Sequence, residues 1–175
     1  MKERPIIFST PMVQAILDGR KTMTRRICRY QHWSFSERID LNVNHIYQKG
    51  DRNFSCPYGV PGDQLWVKET FENELGQINY KANNPEVEHN TAYTILTKWK
   101  PSIFMPRTAS RIQLLIKSIR VESLLDISNE DCIKEGYVRE FTRPKFWFFH
   151  LWNEIYGLGS LEKNPWVWVI EFEKL

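Results

Sequence analysis

The sequence predicts an α+β chain whose strands wrap into a small mixed β-barrel with short helices at its edges. Three observations predict it. Stretches with strand-like alternation, rich in β-branched and aromatic residues, recur along the chain. The helical stretches between them are short, with start and stop signals of their own. The strands are also spaced too irregularly for the repeating strand–helix–strand units of a doubly wound parallel sheet.

The first strand is Pro5 to Ser9. Thr10 then suits an N-cap, and Pro11 suits the first helical position, where its missing N–H costs nothing. Met12, Val13, Ile16 and Leu17 give the helix an apolar stripe, and Gly19 closes it. Lys21 to Cys28 is extended, with Thr22, Thr24 and Arg26 on one face and Met23, Arg25 and Ile27 on the other. In a regular strand Lys21 and Thr24 would face opposite ways, so Lys21 is assigned to the turn or to a bulge.

From Arg29 to Tyr58 no period holds, and the stretch reads as a polar excursion with room for one strand. Cys56 to Asp63 is dense in turn formers. Leu65 to Phe71 then alternates, which sets Glu69 on the apolar face beside Leu65, Val67 and Phe71. A carboxylate there is costly unless it is paired or hydrogen-bonded. Gln77 to Lys81 is a short strand, residues 83–100 are a second polar excursion, and Pro101 to Pro106 is a proline-bracketed turn. Arg111 to Glu122 is a strand or a bent strand pair. Ser128 with Asp131 opens a helix through Glu135 that Gly136 stops. Phe146 to Tyr156 is an aromatic helix stopped by Gly157, and Trp166 to Phe172 is the closing strand.

The length of 175 residues, with 42% hydrophobic and 26% charged residues, fits one domain over 1–175. It excludes a disordered chain, a collagen and a coiled coil. No apolar run reaches the length of a membrane helix, and Ile6 to Phe8 is too short for a signal-peptide core, so a cytoplasmic protein is expected. Three cysteines, Cys28, Cys56 and Cys132, form no disulfide framework and read as reduced thiols. Cys28, His32, His45 and Cys56 are zinc-ligand types, but their spacing has no Cys-x-x-Cys knuckle, and buried free thiols are the default. The reading therefore assigns no metal and no cofactor. The net charge of +3 is mild and settles nothing about nucleic acid. The aromatic share of 14% fits core packing, or stacking surfaces for bases.

The densest chemistry lies in Gly19-Arg20-Lys21-Thr22-Met23-Thr24-Arg25-Arg26. Basic residues and hydroxyls crowd together there after a helix end. A solvated basic turn would need no ligand, yet like charges this close repel, and an anionic or polar partner gives a reason for them. A lysine near hydroxyls and a carboxylate is also equipped for acyl-transfer or amide chemistry. Glu69 is the candidate carboxylate, either paired with a rim arginine or set inside to orient a lysine or activate water.

These residues resemble a known family. Gly19-Arg20-Lys21-Thr22-Met23-Thr24-Arg25, followed by Pro61-Gly62-Asp63-Gln64-Leu65-Trp66-Val67-Lys68-Glu69-Thr70, is similar to an ASCH domain. The Cys56-Pro57-Tyr58-Gly59 turn, the segment from Trp99 to Arg107 and the closing Asn164-Pro165-Trp166-Val167-Trp168 extend the likeness to phage and prophage ASCH proteins. The resemblance implies a PUA-like β-barrel with insertions at about 29–57, 83–100 and 137–163. It implies RNA or nucleoside recognition in a cleft beside the barrel. One bacterial branch, shorter than this chain, is an amidohydrolase acting on N(4)-acetylcytidine. Its lysine, its threonine three positions later and its glutamate on a later strand fall on Lys21, Thr24 and Glu69.

The expectation is therefore hydrolysis of an amide on a modified pyrimidine nucleoside. Thr24 is the nucleophile, Lys21 the base, and Glu69 orients Lys21 or handles water. Arg20, Thr22, Arg25, Arg26, Tyr58 and Trp66 are candidates for binding substrate or RNA. The rival expectation is a non-catalytic RNA-binding module that uses the same basic segment for phosphates and aromatics for bases. A third is a phage factor docking on a host protein through the helix at 146–156, if its rings are exposed.

Overall fold

Strand β1 (Glu3–Ile7) runs into helix α1 (Thr10–Leu17), and Gly19 at φ +73° turns the chain out of that helix into β2 (Met23–Ile27). The computed structural model describes residues 1–28, 45–47, 53–74, 76–83, 99–138 and 143–175. A short antiparallel hairpin follows, β3 (His45–Tyr47) with β4 (Asn53–Ser55). Then come β5 (Gln64–Lys68) and a second hairpin of β6 (Phe71–Glu74) and β7 (Gln77–Tyr80). The chain finishes with β8 (Gln113–Ser123), α2 (Asn129–Lys134), α3 (Pro144–Tyr156) and β9 (Trp166–Lys174).

Five strands form the main sheet in the order β1-β5-β8-β9-β2. Only β1 and β5 pair in parallel; the other ladders are antiparallel. A register shift between Ile116 and Ser118 interrupts the long β8–β9 ladder, and bulges of this kind bend a strand and sharpen its twist. The predicted α+β architecture is what the structure shows. Among the described residues no backbone ladder joins edge β1 to edge β2. Instead the Arg26 Nη2 on β2 donates to the Ile7 carbonyl on β1 at 2.6 Å. The sheet is a curled, open barrel latched by a side chain.

β9 explains its own composition. Trp168, Ile170 and Phe172 pack into the main core with Ile6, Phe8, Leu65, Val67, Leu114 and the α1 residues Val13 and Ile16. Val167 and Val169 face the other way, into a second core with Met23, Leu124, Ile127 and Cys132. A strand covered on both faces reads as an unbroken apolar run. α3 covers the second core with Phe148 and Trp152, and Trp147, Phe149 and Tyr156 are half-buried against it. Phe146, 63% exposed, is the one helix ring left well out in solvent, so α3 does not present the aromatic face the host-docking reading required.

Several boundaries shift. The first strand starts earlier than Pro5, and Ser9 rather than Thr10 is the N-cap, which places Pro11 in the second helical position. The strand expected from Leu65 to Phe71 breaks after Lys68, because Phe71 leaves the main sheet to pair with Tyr80 and Lys100. Ser128 caps α2 as its spacing predicts, its Oγ accepting from the Asp131 N–H at 3.0 Å. Within the excursions at 29–57 and 83–100, residues 29–44, 48–52 and 84–98 lie outside the described set, His32 among them.

Candidate functional site

Lys21 is fixed by backbone contacts before its side chain contributes. The N–H groups of Arg20 and Lys21 both donate to the Ala15 carbonyl at 2.9 Å, which closes α1. Thr22 donates to the Lys134 carbonyl at 2.8 Å and accepts from Phe172 at 2.8 Å. An isolated antiparallel bridge pairs Lys21 with Glu135. Lys21 thus sits in the connection before β2, outside the strand.

The Lys21 side chain is fully buried, 0% exposed. Its Nζ donates to the Glu135 carbonyl at 2.9 Å and to Glu135 Oε2 at 2.7 Å, and lies 5.7 Å from the centre of the Phe8 ring. Burial pushes the ammonium's pKa down, since the charged form loses its water. Glu135 opposes that shift, and the guanidinium groups of Arg26 and Arg25 add to it. Gly136 makes the approach possible. Its φ is +100°, and a Cβ there would lie 3.1 Å from Ala15 Cβ and 3.3 Å from Lys21 Cβ.

Alternation along β2 turns Met23, Arg25 and Ile27 toward the second core and Thr24, Arg26 and Cys28 toward the main core. Thr24 is buried and paired in register with Ile170. The Arg26 guanidinium lies 5.1 Å from the Phe8 ring centre. Its Nε is buried and has no hydrogen-bond partner among the described residues. Tyr156 stands beside it: burial raises the phenol's pKa while the Arg26 charge and hydrogen bond pull it back, and Tyr58 is close enough to act on it too. Arg26, Tyr58 and Tyr156 are half-buried.

Glu69 directly follows β5. Phe8 N–H donates to the Lys68 carbonyl at 3.2 Å, which carries the β1–β5 register on by one residue and sets Phe8 beside Glu69. Glu69 is 1% exposed. Its carboxylate takes a two-pronged ion pair from Arg111, with Nε and Nη2 each at 2.9 Å. Arg111 is in turn stacked 3.9 Å over Tyr80 and bonded to Asn83 at 2.8 Å. Lys21 Nζ and the Arg26 guanidinium both lie beside the Phe8 ring, and Thr24 lies on the Arg26 face of β2.

Arg25, Trp66 and Arg20 lie in three different settings. Arg25 does not face a ligand. It is buried on the opposite face of β2, where Nε holds Glu122 at 2.9 Å, Nη2 holds Asp131 at 2.6 Å and Nη1 holds Glu135 at 3.2 Å. It is the structural centre of a cluster that also includes Arg120. Trp66 lies on the outer face of β5, flanked by Lys68 at 5.6 Å and Arg107 at 6.0 Å, away from Phe8. Arg20 is a surface residue paired with Asp18 at 2.8 Å. The carboxylate that orients Lys21 is Glu135, while Glu69 belongs to Arg111. Phe8, Arg111, Glu135 and Tyr156 were not identified from sequence. Lys21 and Glu135 are 114 positions apart, and no local pattern links them.

The three cysteines are buried thiols outside any disulfide, as expected. Burial raises the Cys28 and Cys132 thiols to about 12 and Cys56 to about 11. Among the described residues no group of three or more His, Cys, Asp or Glu side chains is placed to hold a metal ion. No described helix is long and apolar enough to cross a membrane.

No family profile and no curated protein matches the chain. Among solved structures it is similar to the ASCH domain from Lactobacillus crispatus JV V101, with 11% identity and a TM-score of 0.50 over 99% of this chain and 79% of that one. It also aligns with the hypothetical protein PH0355, at 15% identity and a TM-score of 0.43 over all of both chains. The open, latched barrel described above is the fold of an ASCH domain.

Proposed function

We propose that this chain hydrolyses an acyl amide on a modified pyrimidine nucleoside of the N(4)-acetylcytidine type. The observation that carries the reading is the Lys21 amine, buried, lowered in proton affinity and next to Phe8, with Thr24 on the adjoining strand face. A lysine poised to lose its proton can activate a neighbouring hydroxyl, which is a weak nucleophile unaided.

In the reaction, neutral Lys21 takes the Thr24 hydroxyl proton as Oγ attacks the acyl carbonyl carbon. The tetrahedral intermediate collapses with cleavage of the C–N bond, and Lys21 returns the proton to the departing exocyclic nitrogen. Water then cleaves the Thr24 ester and releases the carboxylic acid. Glu69, held in place by Arg111, handles that water. Arg26 and Tyr58 bind the ring or its sugar from the solvent side.

Incubation with a panel of acylated nucleosides, followed by mass, tests this. The parent is expected to yield deacylated nucleoside, and Thr24→Ala to yield none. Absence of turnover by the parent on every substrate overturns it.

A non-catalytic RNA-binding module is the second reading. The outer face of β5 favours it, where Trp66 lies between two cations while Ile103 and Phe104 are 61% and 70% exposed nearby. Rings interleaved with cations suit stacked bases and phosphates. A steep fall of RNA affinity with salt supports that reading, whereas a nucleoside enzyme shows almost no slope.

A further inference from the structure

Glu135 is a buried carboxylate that no sequence motif marked, and its contacts go beyond pairing. Its main chain and its side chain both grip one atom, Lys21 Nζ. An ammonium has three N–H vertices and no acceptor. Two of them are therefore committed to Glu135, and among the described residues the third has no partner. Glu135 is itself held. Its Oε1 accepts from Arg25 at 3.2 Å, its N–H donates to the Asp131 carbonyl at 2.9 Å, and Gly136 behind it fits against Lys21 without room for a Cβ. Such a support restricts the lysine to one rotamer and one spare vertex.

We infer that Glu135 is the positioning residue of the site, fixing Lys21 Nζ through two hydrogen bonds so that its third vertex alone exchanges the proton with the reacting group. This rests on the amidohydrolase reading for its kinetic consequence, though not for its geometry. Among the described residues, Glu135, just after α2, and Arg26 and Arg25 from β2 act on Lys21; Arg25 is in turn held by Asp131 from α2 and Glu122 from β8, and Glu135 is felt by Tyr156 of α3 and Cys132 of α2. Of the described carboxylates, Glu135 alone is in direct contact with the lysine.

Glu135→Gln keeps an acceptor and removes the charge that favours the ammonium. Lys21 then gives up its proton at lower pH. The acid limb of the kcat/KM profile is expected to move down by about one pH unit, a tenfold change in proton affinity. Glu135→Asp keeps the charge but withdraws it by one methylene. Its acid limb is expected to stay near the parent's while kcat falls. An unmoved acid limb in Glu135→Gln overturns the inference.

An NMR titration of lysine labelled at Cε and Nζ reads the same shift without turnover. A parent with no hydrolysis but a Lys21 midpoint that drops in Glu135→Gln sinks the amidohydrolase reading and sustains this one. If Glu135→Gln does not fold, the parent decides. Its Lys21 Nζ protons are expected to exchange slowly with water, and exchange as fast as that of surface lysines overturns the assignment.

Discussion

Arg26 on one edge of the main sheet donates to the Ile7 carbonyl on the other edge at 2.6 Å. Two strand edges that share no ladder are thereby tied by one guanidinium, which also covers the Phe8 ring. The tie between the sheet edges and the cover over Phe8 are the work of one side chain.

Arg26→Met retains the aliphatic stem and removes the latch. Hydrogen bonds from charged groups contribute about 1.5–3 kcal/mol, and this one is solvent-accessible, so a loss of about 1 kcal/mol is expected. Urea unfolding measures it. A midpoint equal to the parent's would show that the edges hold together without Arg26.

The two arginine–glutamate pairs near β5 should respond differently. Arg111→Ala leaves the Glu69 carboxylate buried and unpaired, which costs on the order of 3 kcal/mol. Arg107→Ala removes the partner of Glu3, whose side chain is largely in solvent, and leaves the unfolding midpoint where it was. Equal effects from the two substitutions would contradict the burial difference.

Lys21 carries a pH signature of its own. Its pKa is lowered in the folded state from 10.5, so between the folded value and 10.5 the unfolded chain binds the extra proton. The Lys21 contribution to stability rises with pH across that window and levels off above it. Parent and Lys21→Met, compared by unfolding at a series of alkaline pH values, are expected to diverge in the parent's favour as pH rises. Lys21→Arg, which cannot release its proton, is expected to abolish turnover while nucleoside binding persists.

Two glycines separate backbone strain from crowding. Gly62 has φ +90° with open space at its Cβ position, so Gly62→Val is penalised by backbone conformation alone, about 1–3 kcal/mol. Gly136 has φ +100° and also meets Ala15 and Lys21. Gly136→Ala should therefore cost more than Gly62→Ala and should disturb Lys21 as well. Thermal unfolding of the two alanine variants gives the ranking.

Much of the fold was legible because it is written in local signals. Gly19, the Ser128–Asp131 cap, Gly157 and the alternation from Leu65 through Glu69 each act within a few residues. The strand break after Lys68 was not legible, because it depends on where Phe71 finds Tyr80 and Lys100. The site divided the same way. Lys21, Thr24 and Glu69 stood out by type and spacing. Their actual partners did not, since Glu135 and Arg111 arrive through tertiary pairing. Arg25 was misassigned because basicity in a sequence does not reveal three carboxylates waiting on the far side of a strand.

The thiols at Cys28, Cys56 and Cys132 have a practical consequence. Each is sealed in apolar packing and holds its proton far above neutrality, so almost no thiolate is present to attack an electrophile. A dye that reacts with cysteine therefore finds little on the intact molecule and labels it when a core opens. Cys132 lies under α3 and the other two lie within the curl of the sheet. The order in which they become labelled reports which half of the protein breathes first, with no engineered probe.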